Sequence, residues 1–317
     1  MEKLINLMSK FGAEFLPKNK FFFPLKILST EMPVGINYKA GVSAQLKSAV
    51  IFAGLNSYGI TEIFENEKSR DHTENILSRN PKVIKIKKGK NKVIKIFGKE
   101  YLKPIEINVP GDPSSAAFFA ALTILNHKSS IKIKNVGLNK TRLGFYQLLN
   151  KSGAKIKMIR KRNENNEPVG DIVVRSSKIR PIRSTKEYYV NSTDEYPIMF
   201  VIAALTKGVS IFKGISDLAN KESNRIKEMQ KILSQVGIKS KSTKKELKIY
   251  GKEGINLQNK KVTVKNLGDH RICMSAFVLS VITGACVKIK NFETVFTSSP
   301  SFLKIMKSIG ARFEIQK

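Results

Sequence analysis

Apolar and polar positions follow the same order four times along this chain, in stretches that begin at Ser43, Ser114, Asp194 and Asp269. Each opens on a small or acidic residue and runs through an apolar helix of about ten residues, followed by a Gly or polar turn and an alternating strand. A loop, an amphipathic helix and a further strand follow, so the period is about 40 residues plus a hairpin of variable length. The second helix ends on Gly153, Gly237 or Gly310 in the last three copies, which suits a left-handed residue just past a helix end. Ile131–Val136 and Lys82–Ile86 alternate or run β-branched, as half-buried strands do. Lys88-Gly89-Lys90-Asn91 is read as a hairpin turn between two Lys/Ile alternations. The pattern predicts an α/β protein of repeated βαβαββ composition, with helices packed on sheets.

The two ends of the chain echo each other. Residues 1–15 and residues 300–317 both read as an amphipathic helix, then Gly12 or Gly310, then a short strand. The opening matches only the last third of a repeat, so Met1 falls inside one, and the expectation is that other sequence supplies the sheet its helix would cover.

Composition adds little to the fold and something to the function. A length of 317 residues favours two domains over one. Hydrophobic content of 41% and a mean hydropathy of −0.20 are ordinary for a globular protein. The longest apolar stretch, Met274–Val287, is too short and interrupted for a bilayer span, and without a leader peptide a cytoplasmic protein is expected. Cys273 and Cys286 have neither metal-site nor disulfide-framework spacing. The formal charge of +32 is mostly Lys, with eleven Arg among 57 basic residues. A Lys-, Ile- and Asn-rich codon bias accounts for it as well as a ligand would. Without an RNA-binding or zinc-finger pattern, it favours small anions over nucleic acid.

The helix starts carry the candidate chemistry. Ser43, Ser114, Ser115, Asp194 and Asp269 are all cap-type residues, and capping alone explains each in isolation. A helix N-terminus also binds anions through its free N–H groups and dipole. Ser43-Ala44-Gln45 adds a hydroxyl and an amide to such a start, and Asp269-His270-Arg271 adds a guanidinium. Lys221-Glu222-Ser223-Asn224-Arg225 is read as opening a second helix, with Lys221 and Arg225 one turn apart on one face. Lys68-Ser69-Arg70 and Lys140-Thr141-Arg142 occupy equivalent places, and Arg142 is read as a solvated side chain. Asp194, Glu195 and Glu222 place carboxylates beside this basic set, for acid–base work or for structural ion pairing.

In this order and spacing VSAQLKSAVIFAGL, KSRDHTENIL, PGDPSSAAFF, DEYP, KESNR and DHRICM resemble the 5-enolpyruvylshikimate-3-phosphate synthase family, and its glyphosate-tolerant branch more than the sensitive one. The resemblance implies the enolpyruvyl transferase fold, an inverse α/β barrel of six repeats, three per domain, with substrates in the cleft between domains. Residues 1–108 would be the remainder of an incomplete N-terminal domain, and residues 109–317 a C-terminal domain of three repeats. It implies transfer of the enolpyruvyl group of phosphoenolpyruvate to the 5-hydroxyl of shikimate 3-phosphate, in the shikimate pathway to chorismate and aromatic amino acids. No cofactor, no metal, no specific nucleic acid and no membrane are implied, and the chain is expected to be a monomer.

Carried over residue by residue, the resemblance makes Asp194 the base at the 5-hydroxyl and Glu222 the proton carrier at the phosphoenolpyruvate methylene. Ser43, Ala44, Gln45, Arg70, Asp194 and Lys221 would hold shikimate 3-phosphate, and Gln45, Arg225 and Arg271 phosphoenolpyruvate. Three departures stand out. Asn224 replaces an Asp of the family pattern, and Thr297-Ser298-Ser299-Pro300 lacks the aromatic and the Lys found there in many members. The family's N-terminal Lys-Ser…Arg and Gly-Asn-x-Gly-Thr segments have no counterpart, so this chain alone is expected to be catalytically incomplete. A UDP-N-acetylglucosamine enolpyruvyl transferase-like enzyme and a non-catalytic basic remnant are the alternatives.

Overall fold

A computed structural model describes every residue except Lys88, Lys90, Asn259, Asn266 and Lys317. The chain divides into two compact lobes: residues 1–109 with 163–168, and residues 110–162 with 169–317. The tip of one hairpin, residues 163–168, groups with the first lobe.

In the first lobe, helix α1 (Glu2–Ser9) leads through Gly12, at φ +96°, into strand β1 (Glu14–Leu16), which pairs antiparallel with β2 (Lys26–Leu28). A complete repeat follows: β3 (Asn37–Ala40), α2 (Ala44–Leu55), β4 (Ile60–Glu65), α3 (His72–Leu77), β5 (Ile84–Lys87) and β6 (Lys92–Phe97). Its sheet has the order β3-β4-β6-β5, with β3 and β4 parallel and the other pairs antiparallel. The expected turn between β5 and β6 includes Lys88 and Lys90, which lie outside the described residues. Alternation places Ile63, Ile94 and Ile96 on the buried face of the sheet, against Val50 and Ile51 of α2.

The second lobe holds three copies. The first comprises α4 (Pro113–Leu125), β7 (Ser130–Gly137), α5 (Gly144–Lys151), β8 (Lys155–Glu164) and β9 (Glu167–Arg175), in the order β7-β9-β8. Its leading strand is reduced to one bridge, Gly111 with Val136. The second comprises β10 (Arg183–Ser184), α6 (Lys186–Ser192), α7 (Tyr196–Ala204), β11 (Gly208–Lys213), α8 (Arg225–Gln235), β12 (Lys239–Ser242) and β13 (Glu246–Gly251). Its order, β10-β11-β13-β12, is that of the complete repeat in the first lobe; helix α6 is an insertion the periodicity did not reveal. The last comprises β14 (Lys261–Val264), α9 (His270–Thr283), β15 (Cys286–Ile289) and α10 (Phe302–Ser308), with β14 parallel to β15. The strand expected after Gly310 is not formed: residues 311–316 pair with nothing in a sheet. In the complete repeats that strand is held by a hairpin partner that follows it.

Helices α4, α7 and α9 pack on one another at the centre of this lobe. All nine residues of α7 are buried, as are eleven of α4. A helix apolar on every side must be covered on every side, and mutual packing beneath three sheets achieves it. Helix α2 is also largely apolar, and its Phe52 is 54% exposed.

The repeats also close in the same way. Lys95–Glu100 reads KIFGKE and Lys248–Glu253 reads KIYGKE. The amide of Lys99 donates to Leu55 O at 2.9 Å, and that of Lys252 to Ala204 O at 2.9 Å, so each returning strand caps the end of its first helix. The preceding glycine makes the approach possible. A Cβ at Gly251 would lie 2.1 Å from the carbonyl oxygens of Ala203 and Thr206, and one at Gly98 would lie 1.8 Å from Ser57 O. Gly251→Ala is therefore expected to destabilise the protein by about 3 kcal/mol. Gly41→Ala, whose Cβ meets nothing within 4 Å, should change stability by under about 1 kcal/mol. Urea unfolding of both variants reads the contrast, and equal midpoints would contradict the closure.

Candidate active site

Because α4, α7 and α9 pack together, the chemistry at their N-termini gathers in one place in the second lobe. Asp269 caps α9 by accepting the Arg271 amide at 3.1 Å. The cap of α4 is Asp112, which accepts the Ser115 amide at 2.9 Å, ahead of the expected Ser114 and Ser115; Pro113 occupies the first helical position, where its missing N–H costs nothing. Helix α7 starts at Tyr196 after Glu195, so Asp194 is not its cap and its carboxylate is turned to other partners.

Those partners are arginines. Asp194 Oδ1 lies 3.7 Å from Arg225 Nη1, and Asp194 Oδ2 lies 3.6 Å from Arg271 Nη2. Arg225, whose side chain is 1% exposed, donates from Nε to Asp269 Oδ2 at 3.0 Å and from Nη2 to Glu222 Oε2 at 2.5 Å. Burial works against its charge, but Asp269, Glu222 and Asp194 outweigh it and raise its pKa. Among the described residues, Arg225 Nη1 is buried without a hydrogen-bond partner. A guanidinium with one fork held and one N–H pair unspent is suited to a carboxylate or phosphate.

Several expectations about this region are corrected. Helix α8 begins at Arg225 with Asn224 as its cap, accepting the Lys227 amide at 3.0 Å. Lys221 therefore lies before the helix, at the end of a 3-10 turn over Ser216–Asn220, and does not share a helix face with Arg225. Its ammonium pairs with Asp217 at 2.6 Å. The departure at Asn224 is harmless because Asn caps as well as Asp. Arg142 is not a solvated side chain: its Nη2 donates to Asp112 Oδ1 and to Ser114 Oγ, both at 2.6 Å. Ser114 in turn donates to the buried Glu195 carboxyl. Burial and the Asp194 charge push the Glu195 pKa up. His270, in the first turn of α9, is half-buried and held below its ordinary pKa by burial and the Arg271 charge. Glu195 was expected among the carboxylates here, whereas Asp269 was read only as a cap and Arg142 was missed as a member of this cluster. The DHR and DEYP wording contains the first two, but a cap-type residue in sequence does not reveal what else it binds.

The other candidates lie in the first lobe. Ser43 caps α2, its Oγ accepting the Leu46 amide at 3.4 Å, with Ala44 and Gln45 in the first turn and the Gln45 side chain exposed. One turn further, Lys47 is wholly buried and its Nζ lies 2.6 Å from both Glu65 Oε1 and Glu74 Oε1. Lys92 completes a quartet, 3.1 Å from Glu65 Oε2 and 3.1 Å from Glu74 Oε1. Burial would raise the Glu65 carboxyl, but Lys47 and Lys92 prevail and lower its pKa. Glu65 Oε1 also accepts the Ser69 amide at 3.1 Å and the Ser69 hydroxyl at 2.9 Å, immediately before Arg70. Among the described residues no three His, Cys, Asp or Glu side chains could hold a metal ion, and no helix is long and apolar enough to cross a membrane.

Comparison with known proteins places the fold and the family. The enolpyruvyl transferase NikO from Streptomyces tendae superposes with a TM-score of 0.73 at 13% identity, over 98% of this chain and 71% of its own, so the fold is that of the enolpyruvyl transferases. EPSP synthase from Acinetobacter baumannii superposes with a TM-score of 0.84 at 30% identity, over all of this chain and 72% of its own. The 3-phosphoshikimate 1-carboxyvinyltransferases of Paramagnetospirillum magneticum and Petrotoga mobilis are 36% and 37% identical, each across 98% of this chain and 70% and 71% of their own lengths. The family model for EPSP synthase (3-phosphoshikimate 1-carboxyvinyltransferase) matches residues 1–306, and the chain belongs to that family.

Two outcomes follow from the electrostatics. Asp269→Ala leaves Arg225 buried with one of its three carboxylate partners gone, and should cost about 3–5 kcal/mol in urea unfolding. Glu195 titrates higher in the folded protein than in the unfolded chain, so its ionisation opposes folding above the ordinary Glu pKa. Glu195→Gln should therefore gain stability relative to the parent at pH 7, and the gain should vanish below about pH 4, where both forms are uncharged. A difference independent of pH would contradict the assignment.

Proposed function

We propose that the protein transfers the enolpyruvyl group of phosphoenolpyruvate to the 5-hydroxyl of shikimate 3-phosphate, releasing phosphate. The observation that carries this reading is the Arg225–Asp194–Arg271 arrangement, a carboxylate set between two guanidinium groups, one of which keeps a buried N–H pair unspent. In this reading Arg225 and Arg271 hold the carboxylate or phosphate of phosphoenolpyruvate and withdraw charge from its C2. Asp194, set between the same two arginines, accepts the proton of the 5-hydroxyl as the oxygen adds to C2. Glu222, half-exposed and bonded to Arg225, delivers a proton to the methylene carbon. The tetrahedral adduct then loses phosphate, and a proton returns from the methyl group to Glu222, giving the enol ether.

Ser43, Ala44, Gln45 and Arg70 take the 3-phosphate, with Gln45 also serving phosphoenolpyruvate, and Lys221 binds the shikimate portion. The α2 N-terminus contributes its unpaired amides, as anion sites on helices do. The division into N- and C-terminal domains near residue 109 is part of the same proposal, as is a cytoplasmic monomer working without a cofactor.

Titration calorimetry with shikimate 3-phosphate, UDP-N-acetylglucosamine and duplex DNA tests the substrate. Binding of shikimate 3-phosphate alone is expected. Lys221→Met should weaken it by about 30-fold or more, and Arg271→Ala should weaken phosphoenolpyruvate by a similar factor. Binding of the nucleotide sugar without shikimate 3-phosphate would overturn the reading, and salt-dependent binding of DNA alone would point to a basic remnant.

A further inference from the structure

We infer that the buried quartet of Lys47, Glu65, Glu74 and Lys92 is a positioning device that aligns Arg70 with the N-terminus of α2 for gripping a phosphate. The inference rests on the proposed 3-phosphate role of Ser43–Gln45 and Arg70. Its starting point is that four charges are buried where an apolar core would serve stability as well. Lys47 and Glu74 are essentially inaccessible, Glu65 nearly so, and only Lys92 reaches the rim.

The geometry says what the charges do there. Lys47 stands one turn into α2, so its ammonium is fixed relative to the first-turn amides of Ala44 and Gln45. Glu65 ends β4, and its Oε1 receives three donors: Lys47 Nζ at 2.6 Å, the Ser69 amide at 3.1 Å and the Ser69 hydroxyl at 2.9 Å. The last two close residues 65–69 into a tight loop and set the direction in which the chain leaves towards Arg70. Glu74, on α3 just beyond Arg70, is held by the same ammonium groups. Ser48 Oγ and Thr73 Oγ1, 2.8 Å apart, add a second tie between α2 and α3. Both flanks of Arg70 are thus referenced to the ammonium that is fixed to the helix N-terminus. Hydrophobic packing is non-directional and would leave the loop free to slide. Directional bonds to one shared carboxylate do not, and a site held this way binds without first spending energy on ordering.

The test separates positioning from folding by using two ligands. The ratio of the Kd for shikimate to the Kd for shikimate 3-phosphate, measured calorimetrically on the full chain, reports the grip on the phosphate alone. Arg70→Ala calibrates it. Glu65→Gln, with its fold checked by circular dichroism and urea unfolding, should lower the ratio at least tenfold while leaving the Kd for shikimate unchanged. Lys92→Gln, altered at the rim where the fold tolerates it, should lower the ratio at least threefold, and Lys92→Arg should retain it. A merely structural quartet would weaken both ligands together and leave the ratio intact. If the ratio survives Glu65→Gln and Lys92→Gln while Arg70→Ala lowers it, the inference fails and the phosphate site stands. If Arg70→Ala also leaves it unchanged, the site assignment fails and takes the inference with it. Should Glu65→Gln not fold, Lys92→Gln decides alone: an unchanged ratio overturns the inference.

Discussion

Helices that are apolar on all sides cannot face water, and in this protein that constraint decides where everything else goes. Helices α4, α7 and α9 satisfy it by burying one another, with their sheets on the outside. Their N-termini come together as a consequence. Ser114 meets Glu195, Arg271 meets Asp194, and Asp269 holds Arg225. None of these side chains is close to its partner in sequence, apart from the short steps within DEYP and DHR. This charged cluster is the polar end of an apolar bundle, which is why so many of its members are also caps or neighbours of caps.

Electrostatics then organises what packing has gathered. Three carboxylates surround Arg225, so a charge that burial alone would discourage is kept. The same burial works in the opposite direction on Glu195, which has Asp194 as a neighbour and is raised. Two adjacent carboxylates in one sequence, Asp194 and Glu195, thereby receive different environments: one between arginines, the other turned inward to a serine hydroxyl. The first lobe uses a neutral quartet in place of an arginine hub, but with the same logic of directional bonds fixing a loop next to a helix start.

Much of the architecture was readable before any coordinates, because hydrophobic periodicity and glycine placement are local signals. Gly153 and Gly237 adopt φ of +107° and +74° just past their helices, as a left-handed terminus demands. The strand order repeats between β3-β4-β6-β5 and β10-β11-β13-β12, as one motif written twice should. The misreadings share a cause. Asp112 in place of Ser114 as a cap, Lys221 outside α8, and Arg142 folded inward all turn on which of several adjacent polar residues wins a contact. Neighbours of equal local propensity are separated only by a partner far away in sequence. Lys47 illustrates the limit best: nothing within its own helix marks it, and the carboxylates that hold its ammonium, Glu65 and Glu74, come from β4 and α3.

By itself, then, the sequence determined the repeated βαβαββ order, the glycine-terminated helix ends and most of the residues worth suspecting, since each depends on spacing within about one turn or one strand. Tertiary structure alone decided which suspects meet. It chose Asp269 over solvent for Arg225, set Asp194 between two arginines, and buried Lys47 among carboxylates. Burial and charge pairing act through space, so their outcome depends on how the helices cover one another, which no single segment encodes.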